Sequence, residues 1–241
     1  MSAGIPVRDA LLVRNERWWS FECSRPCCDP ARGTPLPGTV TELEVASVAA
    51  GVVVAESREE LESRIAPPGG LAWAAMDAAV LRTGAEQDVR SLAYGPAELA
   101  EEGWALVRAA VTRCGAGNPA ASNDDEIARV LWALSDTTVR DRALMLGLGE
   151  QADAAETLWT TCTSRAPTPL DAAPATLLAV SAWLRGDGAT ANIALERALA
   201  SDPDSALAQL LSQALASCLS PKGLRQLIRA SSLAAASRGR R

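Results

Sequence analysis

The chain contains no histidine among its 241 residues, a single lysine (Lys222), one phenylalanine and one tyrosine. The missing imidazole excludes a Ser/His/Asp triad and every metal set that draws on His. No run of 18 or more apolar residues occurs, so no transmembrane helix is expected. The start lacks a basic segment followed by an apolar core, the mark of a secretory signal. The expected location is therefore the cytoplasm, where six cysteines stay reduced.

Aromatic residues are few, yet hydrophobic residues make up 48% of the chain, which excludes a disordered reading. That content is mostly Ala, Leu and Val, a composition that favours close-packed helices over sheets. The formal net charge is −6. A duplex-binding protein needs a basic face to neutralise phosphates, so nucleic acid is not an expected partner. The Arg preference follows from the same skew toward Ala, Arg and Gly. The tail Arg238-Gly239-Arg240-Arg241 reads as a solvated terminus.

Residues 6–14 and 17–22 read as two strands of a hairpin turned by Asn15-Glu16. A hairpin alone is marginal in water, and 52–55 (Val-Val-Val-Ala) is the expected third strand. Residues 23–39, dense in Cys, Pro and Gly, read as loop. Residues 41–50 suit a helix. Ser57-Arg58-Glu59-Glu60 opens another that stops before Pro67-Pro68-Gly69-Gly70. That cluster divides a small α+β segment, 1–66, from an all-helical domain, 71–238. Helices are expected at 71–92, 97–114, 123–135, 137–147, 150–165, 170–185, 189–201, 204–218 and 221–236. Starts are marked by Pro96, Ser122 and Ser220-Pro221, stops by Gly115, Gly186 and Pro203.

The clearest local pattern is 182–203. Gly186 and Gly188 form a turn, Ala191, Ala194 and Ala198 allow close approach of two helices, and Pro203 ends the second. This is the layout of a tetratricopeptide-like hairpin. Trp73, Trp104, Trp132, Trp159 and Trp183 recur at intervals falling from 31 to 24 residues, roughly one anchor per helix or helix pair. The fold class expected is mainly α: a small N-terminal β-hairpin or sheet, then an antiparallel helical bundle with tetratricopeptide-like hairpins at its C-terminal end.

Several motifs together carry a resemblance: Val7–Arg14, Arg17-Trp18-Trp19-Ser20, Cys23 with Cys27-Cys28, and Gly33-Thr34-Pro35-Leu36. Ser57–Leu61, Arg185–Ala189, Asn192, Ala194–Leu199 and Asp202-Pro203 complete the set. In this order they resemble the actinobacterial family known as domain of unknown function 4192. The resemblance implies no reaction, substrate or cofactor. Members of that family carry a further α/β segment before the Trp-Trp hairpin, so the resemblance implies that this chain corresponds to their C-terminal part. The strand at 7–14 then belongs to a larger sheet, and that segment is a candidate partner.

Cys23, Cys27 and Cys28 are the candidates for metal or thiol chemistry. Zinc needs four ligands, and here three thiols, two of them adjacent, would need Asp29 or a distant Cys to finish the set. A thiol nucleophile would depend on Arg25 or Arg32 as its fixed charge. The bland reading is small thiols plugging a tight loop, with no metal and no cofactor. Trp18 and Trp19, adjacent on a strand, face opposite ways, one into a core and one toward a helix, ligand or partner. Asp124-Asp125-Glu126 complements a helix dipole. Gly186-Asp187-Gly188 is no phosphate loop, lacking a preceding strand and a following Lys. Arg185, Asn192 and Arg197 are the polar candidates on any concave face made by 170–185 and 189–201. The expected function is a non-catalytic helical module that binds a protein; the alternative is an enzyme or a metal or redox protein built on Cys23–Cys28.

Overall fold

The computed structural model describes residues 10–23, 25, 29, 31–36, 45, 55, 57–115 and 123–238. The chain divides into two compact units, Met1–Val54 and Ala55–Arg241. The helix expected to close the N-terminal segment therefore opens the helical unit instead. The expected helix at 41–50 and strand at 52–55 lie outside the described residues, apart from Val45 and Ala55.

In the first unit, β1 (Leu11–Arg14) pairs antiparallel with β2 (Arg17–Ser20), with Leu12 opposite Trp19 and Val13 opposite Trp18. Asn15 and Glu16 both adopt positive φ, 52° and 58°, the backbone a two-residue turn needs to match strand twist. The third strand, β3 (Thr34–Pro35), comes from the stretch read as loop and pairs with β2. The loop is drawn there by side chains. Arg17 Nη1 donates to the carbonyls of Arg32 (2.6 Å) and Gly33 (3.0 Å). Pro35 suits an outer strand, where its missing N–H costs no ladder bond.

The helical unit begins with α1 (Arg58–Arg64), capped by Ser57, whose side chain accepts from the Glu60 amide at 3.2 Å. The long α2 (Gly70–Ala93) follows, then α3 (Pro96–Gly115), with proline at its first position. α4 (Asp124–Ser135) is capped by Asn123, whose side-chain Oδ1 accepts from Glu126 N at 2.8 Å. α5 (Thr137–Ala143) tightens into a 3-10 turn, Leu144–Leu148, where one continuous helix was expected. Then come α6 (Ala152–Arg165), α7 (Ala172–Arg185), α8 (Gly188–Ser201), α9 (Ala206–Ala216) and α10 (Pro221–Arg238).

α7 is the axis of the core. Its residues from Ala172 to Leu184 are buried with Ala173 as the one partial exception, as expected of a helix apolar all round. Gly186, in the left-handed region at φ 97°, ends α7, and the Asp187 side chain caps α8. Ala191, Ala194 and Ala198 are fully buried, so α7 and α8 pack closely. α6 covers α7 on another side, α9 packs on α8, and α10 lies against α7 and the 3-10 turn. α2 and α3 both rest on α4, and α3 also reaches α6. Trp159 and Trp183 are buried core residues, whereas Trp104 and Trp132 are partly buried against the core.

Candidate functional site

The residues nominated from sequence lie in separate places. Trp19 is held inside the small sheet unit. Its Nε1 donates to the Asp29 carbonyl at 3.0 Å, and its ring lies on Gly33, where a Cβ would come within 2.3 Å. Trp18 and Trp19 are both half-buried. Cys23 is half-buried too, and Cys27 and Cys28 lie outside the described residues. Among the described residues no group of three or more Cys, Asp or Glu is arranged to hold a metal ion.

The second set belongs to the α7–α8 hairpin, where the side chains are engaged within the chain. Arg185 donates to Glu156 Oε1 at 2.6 Å and lies 3.5 Å from Asp187. Burial works against its charge, but hydrogen bonding to Glu156 and the nearby carboxylates outweigh that and raise its pKa above the usual value. Arg197 Nε donates to Asp171 Oδ2 at 3.0 Å, and its Nη1 donates to the Ile65 carbonyl, tying the end of α1 to α8. Asp171 also accepts from Ser201 Oγ. Asn192 is exposed and donates to Glu196 at 3.0 Å. Arg185 and Arg197 thus tie helices together, whereas Asn192 bonds within α8.

Two of the three thiols in the helical unit are buried and suppressed, while Cys218 is exposed. Burial pushes the Cys162 thiol up to about 12, with Cys114 nearby adding to the effect, and burial raises Cys114 as well. Both stay neutral near pH 7, and a neutral thiol is neither a nucleophile nor a metal ligand.

A different surface stands out on α2. Met76, Val80 and Thr83 recur at helical spacing and turn inward toward the core. On the opposite side Leu71, Ala78, Ala85 and Leu92 recur every seven residues, with Ala74, Leu81 and Val89 between them. Leu71, Leu81, Val89 and Leu92 are 90%, 67%, 68% and 89% exposed. The result is a narrow apolar ridge along a 24-residue helix. Arg82 interrupts it and pairs with Asp125 of α4 at 2.6 Å.

On the inward side of α2, away from the ridge, residues of α2, α3 and α4 enclose a cavity of about 330 Å³. Its floor is Trp132, seated on Gly84 and fixed by an Nε1 bond to the Val80 carbonyl at 3.0 Å. Thr83, Gln87, Leu99, Leu106 and Arg129 line its walls, and an Arg90–Glu102 ion pair joins α2 to α3 there. Arg90 also stands over the Tyr94 ring, 5.4 Å from its centre. The lining mixes apolar surface with charges of both signs and offers an adaptable slot for side chains.

Ridge and slot escaped the reading of the sequence, although the seven-residue recurrence of Leu71, Ala78, Ala85 and Leu92 was a usable signal. It is the pattern a helix shows when another helix is to lie along it.

The chain matches the family described as Domain of unknown function (DUF4192) over residues 1–222, and it belongs to that family. No curated protein and no solved structure matches it.

Proposed function

We propose that this member of the family is a non-catalytic helical module that binds another protein through the outer face of α2. The exposed ridge of Leu71, Leu81, Val89 and Leu92 carries the proposal. An array of packed helices normally turns a polar outer face to water at its ends. α2 instead turns leucines outward, and an exposed contiguous apolar strip marks an interaction surface. Burying one such side chain yields about 1.5–3 kcal/mol. Four together exceed the lower estimates of association cost, about 4 kcal/mol, and give an affinity suited to reversible contact.

The α7–α8 hairpin, with its Gly186 turn and alanine seam, supports a tetratricopeptide-like reading of the C-terminal end, where packed hairpins form a scaffold for such a face. The alternative centred on Cys23, Cys27 and Cys28 keeps only its sequence motif in support.

A photo-crosslinking amino acid placed at Leu81 in the full chain tests the reading in cells. A covalent adduct with a protein is expected, well above any formed from a control position at exposed Gln213 on α9. Equal yields from the two positions would refute it.

A further inference from the structure

Three exposed carboxylates edge the α2 ridge, Asp77 and Asp88 on one side and Glu86 on the other. None has an ion partner among the described residues. α10 carries the opposite chemistry. Residues 221–241 contain Lys222, Arg225, Arg229, Arg238, Arg240 and Arg241 and no acid, in a chain whose net charge is −6. Leu224 and Ile228 anchor α10 inward at 2% and 6% exposure, which leaves Leu233 outward between the exposed Lys222 and Arg229, with Leu227 exposed on a flank.

One chain thus bears an uncovered apolar ridge with acidic edges and an uncovered basic helix face that carries one leucine. Both belong to the helical unit, and both remain exposed there, so neither covers the other. An α2-to-α2 pairing about a two-fold axis, Leu71 against Leu92, would set Asp77 of one copy near Asp88 of the other. Like charges oppose that arrangement. A basic partner face removes the conflict, and α10 is one.

We propose that α10 of one copy seats its basic, leucine-bearing face on the acid-edged α2 ridge of a second copy, joining copies head to tail. The inference rests on the reading of α2 as a docking face and names its occupant. Such a contact uses two different patches, so it leads to rings or to open chains rather than to a single two-fold pair.

Sedimentation velocity of the full chain over a concentration series, at low and high salt, provides the test. Association is expected at low salt and should weaken as salt screens the edge charges. The triple variant D77R/E86R/D88R and the double variant K222E/R229E should each weaken it at least about tenfold. An equimolar mixture of the two should associate again, because each supplies the charge the other lost. All five positions are exposed, and unchanged circular dichroism serves as the check on folding. The single variant Leu233→Gln, which leaves all charges in place, should also weaken association. A wild-type chain that stays monomeric at high micromolar concentration in low salt, or association indifferent to either charge reversal, would overturn the proposal. The docking reading survives that result if the crosslinker at Leu81 captures a different protein, and falls with it if nothing is captured.

Discussion

Arg197 and Asp171 form an ion pair whose side chains are only 18% and 6% exposed. The arginine also bonds the Ile65 carbonyl, so one guanidinium holds α8, the start of α7 and the end of α1. Removing it strands a buried carboxylate. Arg197→Met should cost about 3 kcal/mol of folding free energy. Adding Asp171→Asn should recover part of the loss, since no uncompensated charge then remains. Urea denaturation of the two variants measures both; a loss under half that size would mean the pair is already hydrated.

Gly84 and Trp132 are packed so closely that a Cβ on the glycine would meet the indole at 2.7 Å. Alanine normally favours a helix over glycine by about 1 kcal/mol. Here the displaced ring also loses its bond to the Val80 carbonyl, and overpacking of this kind costs about 1–3 kcal/mol. Gly84→Ala should therefore lower stability, opposite in sign to helix propensity. An unchanged or higher midpoint in denaturant would contradict the packing argument.

Burial of Cys162 gives stability a pH dependence. The thiol ionises near its ordinary value of 9.0 once unfolded but only at about 12 when folded. Below pH 9 both states are protonated and its contribution is complete. Above that the unfolded chain sheds the proton first, and stability declines until the folded thiol also ionises. The slope is at most about 1.4 kcal/mol per pH unit. Cys162→Ala should flatten the wild-type decline between pH 9 and 12. In the native protein at pH 8, iodoacetamide should modify exposed Cys218 and spare Cys162.

The ridge separates binding from folding. Leu81→Gln and Leu92→Gln sit on exposed positions and should change stability by less than about 0.5 kcal/mol. Both should reduce partner capture by the full chain several-fold. A large drop in stability would show that the leucines pack within the molecule, contrary to their exposure.

How far the sequence disclosed this architecture depends on how local each signal was. The α7–α8 hairpin was legible because its determinants sit within one stretch: a left-handed glycine at 186, a capping Asp187 and alanines at helical spacing. The helical bundle followed from composition and punctuation in the same way. Arg197 shows the limit. Its partners lie 26 and 132 residues earlier in the chain, so nothing near it announced an internal bond rather than a surface role. The strand at Thr34-Pro35 was read as loop for a similar reason: it lies in a stretch dense in Pro and Gly and is held in position by Arg17. On α2 the alanines and leucines announced a helix but not which side would be covered, because that depends on where α4 comes to rest.

Asp124, Asp125 and Glu126 do more than complement the axis of α4. Arg165 from α6, Arg82 from α2 and Arg113 from α3 each reach one of them. Three helices are thus hooked to a single turn, and one hook, Arg82, rises through the ridge itself. Whatever lies down over Leu81 will expel water from the Arg82–Asp125 contact, and attraction between charges grows as the medium becomes less polar. Occupancy at the rim would therefore reach a clasp that also holds the interior, so that the partner's affinity and the strength of the clasp become linked, and binding should raise resistance to unfolding as partner concentration rises.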